Sequence, residues 1–127
     1  PYLASRYDTT SGEIIPVMER IGMLDRKMRI VNENTEDYED WFKWIIEAYK
    51  SVYGYEWQGD SLLIARENVF YSFLDYYVNR FGILPEKKLM FKIANIISWN
   101  MAVCLFALCT NFLFQKCVSV RQLHRAF

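Results

Sequence analysis

The residues best suited to chemistry lie in one run, Tyr53-Gly54-Tyr55-Glu56-Trp57-Gln58-Gly59-Asp60-Ser61-Leu62-Leu63-Ile64-Ala65-Arg66-Glu67-Asn68. With the two residues before it, the stretch Ser51-Val52-Tyr53-Gly54-Tyr55-Glu56-Trp57 is short, β-branched and aromatic, and Gln58-Gly59-Asp60 is a turn, so a strand should end near residue 57 and a helix should follow. A strand that closes on a carboxylate and turns into a helix suits the binding of a nucleoside. In doubly wound sheets ligands sit at the carboxyl ends of strands, where an acid can accept hydrogen bonds from both ribose hydroxyls. Glu56 stands in that place, and Trp57 can lay its ring against an adenine face. On spacing alone a plainer assignment fits as well, with Glu56 a surface carboxylate and Trp57 a core aromatic.

Other groupings carry less. The single histidine, His124, follows Cys117 by seven residues and stands apart from any acid, which argues against a zinc site and against a Ser-His-Asp set. The acid-rich stretch from Glu33 to Asp40 reads as a solvated helix start and not as a metal site. Lys87, Lys88 and Lys92 fall on one face of an expected helix and can meet phosphate, or simply face water.

The elements that must position these residues follow from periodicity and breakers. Residues 1–14 read as loop, around the turn formers Asp8-Thr9-Thr10-Ser11-Gly12. Pro16 can open a short helix over about 16–28, weakened in the middle by Gly22. Asn32-Glu33-Asn34-Thr35 reads as a helix start, because these side chains accept hydrogen bonds from the orphan N–H groups of a first turn. The helix expected next, about 35–52, has the clearest pattern: Tyr38, Trp41, Phe42, Ile45, Tyr49 and Val52 recur at three- and four-residue steps. A buried strand is expected over about 52–57 and a long helix over about 61–81, capped by Asp60 or Ser61 and stopped by Gly82. Pro85 should open a third helix over about 85–95, with Leu89, Met90, Ile93 and Ile96 on one face. Helix, strand, helix, helix predicts an α/β, helix-rich fold with few short strands.

Composition bounds the rest. At 127 residues, with 53% hydrophobic and 17% aromatic residues, the chain can form one folded domain with a real core. The net charge of zero hides a split: residues 1–86 hold all 15 acids and 9 of the 15 bases (9 − 15 = −6), and residues 87–127 hold 6 bases and no acid (+6). Such a split can mark a part that meets nucleic acid or an anionic surface, and the halves can also satisfy one another's charge. Cys104, Cys109 and Cys117 are odd in number and irregular in spacing, which fits reduced, buried thiols in a cytoplasmic protein. The apolar run from Met101 to Phe114 spans 14 residues, and 22 if counted from Ile93 with Asn95, Ser98 and Asn100 interrupting it. The shorter count falls below the roughly 20 residues of a membrane-spanning helix. The opening, Pro1-Tyr2-Leu3-Ala4-Ser5-Arg6, has neither an initiator methionine nor the apolar run of a signal peptide, and is expected to be the start of a fragment.

The run from Ser51 to Asn68 resembles the second motif of class-I S-adenosylmethionine-dependent methyltransferases. Pro1-Tyr2-Leu3-Ala4-Ser5-Arg6-Tyr7-Asp8, Leu24-Asp25-Arg26-Lys27, Ile30-Val31-Asn32-Glu33-Asn34 and Ile96-Ile97-Ser98-Trp99-Asn100 extend the likeness to about residues 1–100. Together these strings are similar to adenine-specific (N6) DNA methyltransferases of restriction–modification systems. The resemblance implies an internal fragment of a Rossmann-like cofactor-binding domain over residues 1–100, and a divergent apolar and basic tail over 101–127. It implies S-adenosylmethionine as cofactor, Glu56 as the ribose-binding acid with Trp57 beside it, and DNA and the remainder of the methyltransferase as partners. The family's glycine-rich first motif would lie upstream of Pro1. Its Asn/Asp-Pro-Pro-Tyr/Phe catalytic motif, which orients the flipped adenine, would lie downstream. The chain alone is therefore expected to be inactive, to supply one wall of the cofactor site, and to self-associate through unpaired strand edges. Past Asn100 the family's polar turn gives way to the cysteine-rich run, which fits a divergent end, a membrane-seeking tail or, best of the three, a shifted reading frame. The alternative function is a small helical interaction or membrane-associated protein that uses the apolar run 93–114.

Overall fold

The computed structural model describes residues 3–56 and 58–103, with no side chain described at Val103. A 3₁₀ turn, Val17–Glu19, precedes α1 (Met23–Asn34), α2 (Tyr38–Lys50), β1 (Gly54–Glu56), α3 (Gly59–Phe81), α4 (Lys87–Asn100) and β2 (Met101–Val103). The chain is helix-rich and broadly α/β, as expected, with a two-stranded parallel sheet in register Gly54↔Met101, Tyr55↔Ala102 and Glu56↔Val103. Parallel neighbours need a crossover connection, and here it comprises the whole of α3 and α4.

The helices pack around one aromatic interior. Trp41, Ile45 and Tyr49 of α2 are buried, as their spacing predicts, and so is Val52 just beyond the helix, whereas Phe42 is half-buried and Tyr38, in the first turn, is exposed. Trp41 meets Tyr77 and Phe81 of α3 edge-on, with centroids 5.5 and 5.0 Å away. Such edge-to-face pairs add to the gain from burial. Leu24, Met28 and Val31 close the core from α1, and Leu89, Ile93 and Ile97 from α4.

Several boundaries differ from expectation. The helix expected over 16–28 is divided: the 3₁₀ turn ends at Glu19 and α1 starts at Met23. Gly22 is the N-cap, where a Cβ would lie 2.4 Å from Asp25 Oδ2 and 2.8 Å from Ala4 Cα, so only glycine fits. Asn32-Glu33-Asn34-Thr35 ends α1 and does not begin α2. The Arg80 guanidinium donates to the Asn32 and Thr35 carbonyls, and Trp41 Nε1 donates to Asn32 Oδ1 at 2.6 Å. α2 begins at Tyr38 after Asp37, whose side chain makes no capping hydrogen bond. The expected strand is shorter and half-buried. Gly82 ends α3 in the left-handed region at φ 71°, as its type predicts. α4 begins after Glu86 and runs on to Asn100, beyond the expected 95.

The segment expected as loop over residues 1–14 carries more structure over its described part, residues 3–14. Tyr7 and Ile14 form an antiparallel bridge, and Ser5 Oγ accepts hydrogen bonds from the Ile21 and Gly22 amides at 2.8 and 3.2 Å. Arg6 and the buried Arg20 each reach Asp75 Oδ2 of α3 at 2.8 Å. Burial lowers the pKa of Arg6, but its hydrogen bond and attraction to Asp75 outweigh this and leave it raised.

Candidate functional site at the end of the parallel strand

Glu56 is the last residue of β1, opposite Val103, and α3 begins three positions later at Gly59. Its Oε1 accepts a hydrogen bond from the amide of Gln58, the N-cap of α3, at 3.4 Å. The carboxylate is thereby held over the start of a 23-residue helix, where the unsatisfied amides carry partial positive charge. Among the described residues, a Cβ on Gly59 would meet nothing within 4 Å outside its own helix and chain neighbours. Trp57, the other expected binding residue, lies outside the described residues, as does the tail from 104 to 127.

Two side chains pin the strand pair that carries Glu56. Arg66 of α3 donates to Met101 O through Nε at 3.1 Å and Nη2 at 2.7 Å, and to Ser98 O at 3.1 Å. These carbonyls are at the junction of α4 and β2, where helical partners run out. Asn100 Nδ2 donates to the Tyr49 and Lys50 carbonyls, both at 3.1 Å, and so joins the end of α4 to the end of α2. Lys27 reaches the Ser51 hydroxyl in the same corner, where burial lowers its pKa. The positioning roles of Arg66 and Asn100 are not apparent from residue types. One signal existed: Asn100 continues the buried stripe Leu89, Ile93, Ile97, where a polar residue must find partners.

A groove of about 310 Å³ between α3 and α4 is lined in part by Phe70 and Ile97, with Arg66, Glu67 and Tyr71 adding polar groups; Glu56 is not part of it. No cluster of three or more His, Cys, Asp or Glu side chains able to hold a metal occurs among the described residues, Glu33–Asp40 included. Two buried polar atoms there lack partners, Arg20 Nη1 and Asp25 Oδ1, though Asp25 Oδ2 accepts from the Ser5 and Gly22 amides at 2.9 and 3.1 Å.

No protein-family model, curated protein or solved structure matches the chain.

Proposed function

We propose that the chain is part of an S-adenosylmethionine-dependent adenine-N6 DNA methyltransferase and supplies the acid that holds the cofactor's ribose. The observation that carries this reading is the position of Glu56: a carboxylate closing a parallel strand, at the N-terminus of a long crossover helix. That is where a doubly wound sheet receives a nucleoside. The resemblance of residues 1–100 to this enzyme class gives the reading its reaction.

The cofactor, when bound, supplies an electrophilic methyl group. The chain's own part is orientation. Glu56 accepts hydrogen bonds from the ribose hydroxyls, and Arg66 and Asn100 hold the starts of the two strands, two residues before the pair that carries it. Among the described residues there is no glycine-rich cradle for the methionine end, so turnover is assigned to the chain together with the remainder of the enzyme and DNA. Isothermal titration with S-adenosylmethionine tests this, using the 127-residue chain and a longer chain with an upstream glycine-rich loop. Tighter binding by the longer chain, lost in Glu56→Ala, is the expected result. Undiminished binding by that variant contradicts the site.

The membrane reading has less support. Ile93, Ile97 and Met101, the start of the apolar run, are buried in the core. Among the described residues no helix is long and apolar enough to cross a membrane.

A further inference from the structure

α4 presents a continuous exposed arc made of Ala94, Lys87, Ser98, Phe91, Asn95, Lys88, Trp99 and Lys92, opposite the buried stripe of Leu89, Ile93 and Ile97. Phe91 and Trp99 are 75% and 72% exposed, more than any other large hydrophobic residue described. They stand on one ridge with Asn95 between them, separated by about 12 Å along the axis at 1.5 Å per residue. The ion pairs among the described residues join Arg6 and Arg20 to Asp75 and Lys50 to Glu47, and none takes up a lysine of α4. Lys92 lies 5.0 Å from the Phe42 ring centroid, a cation–π contact that leaves its charge in place. Acids on the elements around α4 include Glu86 at its N-cap, Glu67 across the groove from Ala94 and Ser98, and Glu39 of α2, one turn before the Phe42 that Lys92 touches. None of them belongs to α4, whose exposed arc carries no acid.

Exposed aromatic rings alone would fit another protein as well. Lysine, however, is depleted from protein–protein interfaces, and this face alternates lysine with aromatic and amide groups. Lysines that follow a phosphate backbone, with rings on which bases stack, are the means by which unpaired nucleic acid is held. We propose that the exposed face of α4 binds an unpaired stretch of nucleic acid, with Lys87, Lys88 and Lys92 on phosphates and Phe91 and Trp99 against bases. The inference rests on α4 alone and is independent of the role given to Glu56.

The test is fluorescence anisotropy with the 127-residue chain, using labelled oligodeoxythymidine, the same strand in duplex, and phosphatidylserine vesicles as probes. The single strand should bind best. Joint Lys87→Ala, Lys88→Ala and Lys92→Ala substitution should lower affinity at least tenfold and reduce the slope of log affinity against log salt by about 2, at about 0.7 per phosphate contacted. The matching Lys→Arg variant should restore both. Trp99→Ala should weaken binding by about tenfold, within the range for one stacked base, and leave the slope unchanged. All these positions are exposed, so matched circular dichroism melts will show that folding is intact. No binding, binding indifferent to the lysine substitutions, a preference for duplex that ignores Trp99→Ala, or equal affinity for vesicles overturns the proposal. Loss of cofactor binding in a Glu56 variant with strand binding intact would separate this face from the cofactor site.

Discussion

The aromatic interior around Trp41 and the strand pair ending at Glu56 are built on different principles. The interior joins four helices through contacts that exclude water, so many small attractions and a large buried apolar area act together. The strand pair has three residues a side, all of β1 half-buried, and takes its definition from hydrogen bonds donated by Arg66 and Asn100. A fold can therefore be stabilised in one place and aimed in another. Substitutions in the two regions should differ in what they damage as well as in how much.

The largest effect is expected in the interior. Trp41→Ala removes a fully buried ring and a hydrogen bond to Asn32, and should lower stability by about 4 kcal/mol in urea titrations. A loss below about 1 kcal/mol would mean that the helices do not share one core. Next is Asp75→Ala, which leaves the buried Arg20 without its carboxylate at a cost of about 3 kcal/mol. It should also expose the amides of residues 5–22 to exchange.

Arg66→Met sharpens the contrast. It strips the Ser98 and Met101 carbonyls of their donor for about 1–2 kcal/mol, and the loss should be local. Hydrogen exchange should show the β1 and β2 amides losing protection before those of α2. Uniform loss across both regions would remove the distinction between them.

The smallest effect appears only in alkali. Burial first, then the hydrogen bond to Tyr38, raises the Tyr77 pKa to about 12 from 10.0. Burial likewise raises Tyr49 and Tyr76. With the folded pKa above the unfolded one, the unfolded chain ionises first. The contribution is therefore whole below pH 10.0 and is lost as pH rises toward 12. Melting temperature should fall across that window, and fall less steeply in Tyr77→Phe.

The legible parts of the sequence were those governed by local spacing. The α2 stripe, the strand closing on Glu56, the long α3 and its stop at Gly82 all follow from periodicity and backbone preference. The parts that misled depend on distant partners. Asn32 and Thr35 have the types of a helix start, but Arg80, far along the chain, takes their carbonyls and makes the segment a helix end. Gly22 reads as a weak point inside a helix until Ser5 and Asp25 are seen holding its amide. Of the site, the carboxylate was legible and its supports were not. Whether an arginine on a helix faces water or holds two carbonyls is decided by tertiary structure.

The central claim, that Glu56 receives a ribose, is tested most directly by a thermodynamic cycle between side chain and ligand. Competition binding would compare adenosine with its dideoxy analogue, on the native chain and on Glu56→Gln. If the claim holds, removing the hydroxyls weakens binding to the native chain and makes far less difference to the variant, a coupling of about 1–3 kcal/mol for hydrogen bonds to a charged group. An equal loss in both proteins would show that the carboxylate and the ribose do not meet.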